Sequence, residues 1–112
     1  QVAAARPKQA KAQLALSGAY RLLGNGYFAA KQEGRANQFY LESLERAKKI
    51  AAPEARELQA LAQSNLCTAL AQGKETSAAL THCRGAAEIL ENLAPQSGLL
   101  IRARLNEALV LE

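Results

Sequence analysis

A recurring five-residue phrase constrains this chain more than any other feature. Leu16-Ser17-Gly18-Ala19-Tyr20, Leu66-Cys67-Thr68-Ala69-Leu70 and Leu105-Asn106-Glu107-Ala108-Leu109 all read Leu-x-x-Ala followed by Tyr or Leu, inside segments of helical periodicity. Helical phrases spaced tens of residues apart mark stacked hairpins, none of which buries its apolar face without its neighbours. The intervals of fifty and thirty-nine residues predict an enlarged first unit, a regular second and an unfinished third.

Composition agrees with helices. Ala, Leu, Gln, Glu, Lys and Arg dominate, and Asp, Trp and Met are absent, so strong helix formers carry the chain. A length of 112 residues is that of one domain. No apolar run approaches the roughly 18 residues a membrane span needs, so the expectation is a soluble domain, with a cytoplasmic location preferred. A start at Gln1 without Met reads as a processed chain or an excised fragment.

Five helical stretches follow from the spacing of apolar residues. Pro7 suits a first turn, and Leu14, Leu16, Ala19, Tyr20, Leu22 and Leu23 supply the first helix, which Gly24-Asn25-Gly26 is expected to end. The pattern resumes at Tyr27 and runs to Ala51, as one long helix or as two broken near Gly34. Pro53 marks the next boundary. A third helix runs from Glu54 to about Gln72 and closes at Gly73. Thr76 or Ser77 is the expected cap of a fourth, which Pro95 stops, and Ser97 that of a fifth.

The residues Leu66, Cys67, Gly73, Ala79 and Ala86 resemble the tetratricopeptide repeat (TPR), in the longer variety found in kinesin light chain-like proteins. Each repeat of that family is two antiparallel helices, with Leu and a small residue on the first, a glycine near the turn and two small positions on the second. In the first repeat Leu16, Ser17, Ala19, Tyr20 and Gly24 fit the first helix, while Gly26 looks inserted and the second helix looks about two turns too long. Leu105, Ala108 and Leu109 begin a third repeat. The resemblance implies an all-α, right-handed superhelix of about five helices and two and a half repeats, spanning 8–52, 54–94 and 97–112.

It also implies where function lies. The groove lined by the first helix of each repeat would present Lys11, Gly18 and Arg21, then Leu61, Ser64, Asn65, Thr68 and Gln72, then Leu100, Arg104 and Glu107. This mixed polar, partly cationic set suits a peptide or helix of a partner protein held by amide and guanidinium donors. Thr68 and Gly18 stand where the family's carboxylate clamp wants Asn, so a chaperone-tail receptor is not expected.

The net charge of +4 is unevenly placed: residues 1–35 hold six cations against Glu33 alone. A solvated helix face is the plain meaning, and binding of nucleic acid or an anionic surface through this basic third is the alternative. Nucleic acid itself is not expected, since few aromatics are there to stack with bases. Cys67 and Cys83 read as two small buried hydrophobes on adjacent helices, with a disulfide as the minority alternative. His82 adjoins Cys83, but helix neighbours point about 100° apart and make no nucleophile-base pair. His82 is therefore expected at the surface. No catalytic, cofactor-binding or metal-binding set stands out, and the expectation is a noncatalytic adaptor or scaffold with no cofactor. In the fifth helix Leu99, Leu100, Ile101, Leu105, Leu109, Val110 and Leu111 cover more than one face. An open apolar flank of that kind predicts self-association through this helix, or truncation.

Overall fold

A computed structural model describes residues 7–93, 96 and 98–111. The described residues form helices α1 (Pro7–Ala29), α2 (Glu33–Lys48), α3 (Glu54–Gln72), α4 (Thr76–Leu93) and α5 (Gly98–Leu111), with no strand among them. Consecutive helices pack on one another, and α3 also touches both α1 and α5, while α2 and α4 do not meet. The result is two layers, α1, α3 and α5 in one and α2 and α4 in the other. Pro53 directly precedes α3 as expected, whereas Pro95 and Ser97 lie outside the described residues.

Gly24-Asn25-Gly26 does not end the first helix. All three are helical in α1, which continues to Ala29, and the break falls at residues 30–32 rather than near Gly34. The enlarged member of the first hairpin is thus α1, with 23 residues, and not α2, with 16. The reason is tertiary. A Cβ built on Gly24 would lie 2.5 Å from Cδ1 and Cε1 of Tyr40, so the missing side chain is the notch that receives this ring. Tyr40 is 1% exposed, and its hydroxyl donates to Asn25 Oδ1 at 2.6 Å. What reads locally as a turn is a socket on a helix face.

The two hairpin turns share one hydrogen-bond pattern. Lys31 and Lys74 both take positive φ, 62° and 63°. Their amides donate to Phe28 and Ala71, those of Gln32 and Glu75 to Tyr27 and Leu70, and those of Ala36 and Ala79 to Gln32 and Glu75. The last bond starts α4 at Thr76, so Glu75 stands at the cap position expected for Thr76 or Ser77. Every correspondence is a shift of forty-three residues. Burial follows the same shift: Ser17, Ala60 and Ala103 are all at 0% exposure, as are Ala36 and Ala79.

The recurring phrase therefore does not mark equivalent positions. Leu66 is fully buried, whereas Leu16 is 45% and Leu105 58% exposed. Shifted by forty-three from Leu66-Cys67, the equivalent pair in α1 is Leu23-Gly24. Gly24 and Tyr40 then correspond to Cys67 and Cys83. The cysteines are joined in a disulfide across α3 and α4, with α-carbons 4.9 Å apart and both residues buried, which corrects the expectation of two free thiols. Each hairpin is locked at the same height, once by a ring in a glycine notch and once by a covalent bond.

Three variants test this packing. Gly24→Ala is expected to lower the denaturation free energy by about 1–3 kcal/mol through overpacking against the immobile ring, although Ala is the better helix former. Gly26, two residues further on and so on another face of the helix, has nothing within 4 Å of a built Cβ. Gly26→Ala is expected to raise stability by roughly 0.5–1 kcal/mol. Urea denaturation of the two variants, read against the parent, checks the opposite signs. Cys67→Ala with Cys83→Ala releases a loop of sequence separation 16, and the same assay is expected to read a loss of about 3 kcal/mol.

Candidate partner-binding face

Side chains on α3 connect the helices of its layer. Leu61, Asn65, Thr68 and Gln72 recur at spacings of four, three and four, which puts them on one stripe of α3. From this stripe Asn65 Oδ1 accepts from Arg21 Nη1 of α1 at 3.3 Å, and Thr68 Oγ1 accepts from Asn106 Nδ2 of α5 at 3.1 Å. Thr68 in turn donates its hydroxyl proton to the carbonyl of Ser64. A hydrogen-bonded row thus crosses α1, α3 and α5. At the two ends of the stripe, Gln72 is exposed and Leu61 half-buried.

The expected groove residues divide. Arg21, Asn65 and Thr68 meet in this row, with Arg21 Nε enclosed and without a hydrogen-bond partner. Ser64 is buried, and Leu100 packs into the apolar clusters between α3, α4 and α5. Arg104 pairs with Glu91 of α4, and Glu107 with Arg84 of α4 at 2.9 Å, so both belong to the α4–α5 seam. Arg104 also donates to Glu107 at 3.2 Å. These hydrogen bonds from Arg84 and Arg104 hold the Glu107 carboxyl below its ordinary range. Asn106 carries a side-chain hydrogen bond from α5 to α3. Nothing in the repeated phrase singles it out, because the phrase starts α5 four residues early relative to the forty-three-residue period.

The basic third is not one surface. Arg21 turns inward to Asn65, while Lys8 and Lys11 stay exposed. Tyr20, Phe39 and Tyr27 stack in that order, with centroid separations of 6.1 and 5.2 Å. Arg46 lies over Tyr20 at 4.8 Å and Arg35 over Tyr27 at 5.7 Å. These rings are engaged with one another and with guanidinium groups.

His82 is half-buried rather than at the surface. Its Nδ1 donates to Gln63 Oε1 of α3 at 2.6 Å, one residue before the disulfide. Gly85 leaves room for the Gln63 amide, which a Cβ there would overlap. Burial, and then the charge of Lys48, push the His82 pKa below its ordinary 6.5. No group of three or more His, Cys, Asp or Glu side chains is placed to hold a metal among the described residues. No described helix is long and apolar enough to cross a membrane.

The chain was compared with protein-family models, with curated proteins and with solved structures, and none of them matches it.

The depressed His82 pKa makes stability depend on pH in one direction. Above 6.5 the histidine is neutral in both states; as pH falls below that value the unfolded chain takes up a proton that the folded chain resists. Melting temperature is therefore expected to fall between neutral and mildly acidic pH, and His82→Gln to flatten that part of the profile in a calorimetric series.

Proposed function

We propose that the chain is a noncatalytic protein-interaction module whose α1–α3–α5 face holds a peptide or helix of a partner protein. The observation that carries this reading is the row from Arg21 to Asn106, which makes the three helices one polar surface centred on Asn65 and Thr68. Helical layers of this kind offer long faces to extended or helical ligands. The forty-three-residue period supports a tetratricopeptide-like repeat. Leu23, Gly24, Ala36 and Ser43 fill in the first hairpin the places that Leu66, Cys67, Ala79 and Ala86 fill in the second. Every position that the family keeps small is then small in both.

The Cys67–Cys83 bridge supports maturation in an oxidising compartment, where such bonds persist, over the cytoplasm. A second copy packed on α5 is also compatible with its outer face, where Ile101, Leu105, Leu109 and Leu111 are exposed.

The test is selection from a peptide library on the oxidised full chain, followed by amide-shift mapping of the selected binders. The expected shifts centre on Leu61, Asn65, Thr68 and Gln72. Asn65→Ala with Gln72→Ala is expected to weaken binding by roughly ten-fold or more, as loss of central polar contacts does. Shifts centred instead on Lys8, Lys11 and Lys31, with affinity that collapses in salt, would overturn this reading in favour of an anion-binding surface.

A further inference from the structure

The outer face of α1 carries a second, different site. Ala19, Leu22, Leu23, Gly26, Tyr27, Ala30 and Gln32 line an open cleft of about 570 Å³ on that face. Shifted by forty-three residues, Ala19, Leu23, Gly26 and Tyr27 correspond to Ala62, Leu66, Ala69 and Leu70 of α3. Those four α3 residues are buried in one cluster with Ala36, Tyr40 and Leu44 of α2. The molecule therefore displays what its own α1 cleft is shaped to take: an amphipathic helix with a ridge like that of α2, at a position where none of the described residues lies.

Charge selects the occupant. Residues 7–35 contain Lys8, Lys11, Arg21, Lys31 and Arg35 against the single carboxylate Glu33. Among the described residues, no cation between Lys8 and Arg35 belongs to an ion pair. Arg35 stands over the ring of Tyr27, a cleft residue, and Lys31 lies in the turn between Ala30 and Gln32. A second copy is a poor occupant. Its own α1 would bring the same cations, and its open α5 face adds the exposed Arg102, with Arg104 and Glu107 already paired along the α4–α5 seam.

We infer that the α1 cleft docks an amphipathic helix of a partner protein, seated as α2 seats on α3 and carrying acidic residues beside its apolar ridge. This site is separate from the α1–α3–α5 face and does not depend on it.

Two stapled helical peptides copying residues 33–48 serve as probes. In the acidic one Arg35, Arg46 and Lys48 become Glu; in the basic one Glu33, Glu42 and Glu45 become Lys. Fluorescence anisotropy with the oxidised full chain is expected to read the acidic peptide as bound at least roughly ten-fold more tightly than the basic one. Leu23→Glu, at a position 49% exposed, is expected to abolish that binding with the helical circular dichroism intact, while Asn65→Ala with Gln72→Ala leaves it unchanged. In the full chain Arg35→Glu is expected to narrow or reverse the preference. Equal binding of both peptides, binding of neither, or binding that survives Leu23→Glu would overturn the inference. So would sedimentation showing a dimer that Leu23→Glu converts to a monomer, since the occupant would then be a second copy.

Discussion

Helix α3 is the element on which the rest of the molecule depends, because it alone packs against all four other helices. It presents a different chemistry to each. To α2 it offers Ala62, Leu66, Ala69 and Leu70, to α4 a covalent bond at Cys67, to α1 the Asn65 amide and to α5 the Thr68 hydroxyl. Removing α3 would leave two pieces, α1 with α2 and α4 with α5, whose backbones do not pack on each other. Surface ion pairs such as Arg46–Glu42 and Lys48–Glu45 decorate this arrangement at exposed positions and contribute little to it.

The hairpins solve one packing problem in two ways. Where helices approach closely, one side must be small. In the first hairpin Gly24 is small so that the Tyr40 ring fits, and Ser17 donates to the Ser43 carbonyl at 2.8 Å. In the second, both partners are small and the sulfur atoms bond, with His82 and Gln63 tied alongside. A glycine notch filled by an aromatic gains through buried area and a hydroxyl bond. A disulfide gains mainly by restricting the unfolded chain. The same height in the stack is thus held by contact in one unit and by covalent constraint in the next.

The bounds of α3 were legible in the sequence because they are set by residues that act locally: Pro53 before it and Gly73 after it. The end of α1 was not legible. Gly24 and Gly26 look alike in sequence, and only the ring of Tyr40, sixteen residues away, makes one of them a socket and leaves the other an ordinary exposed helical glycine. The repeat was visible but misregistered for a related reason. Its true member in α1, Leu23-Gly24-Asn25-Gly26-Tyr27, has Gly where the phrase requires Ala, while Leu16 to Tyr20 satisfies the letters from an exposed register. Of the site, Arg21, Asn65 and Thr68 came from the family resemblance. Asn106 and the pairing of Arg104 and Glu107 with α4 depend on how α5 is rotated, which a short apolar helix with no single hydrophobic stripe does not declare.

Helix α3 organises the molecule, because α1 and α5 both contact it and do not contact each other. Native-state hydrogen exchange of the oxidised chain tests this most directly. Amides of α3 around Leu66 to Leu70 are expected to exchange only through global unfolding, while those of α1 and α5 open in smaller, separate steps. Equal protection in α5 and α3, or an α3 that opens while α1 and α2 stay closed on each other and α4 on α5, would contradict it.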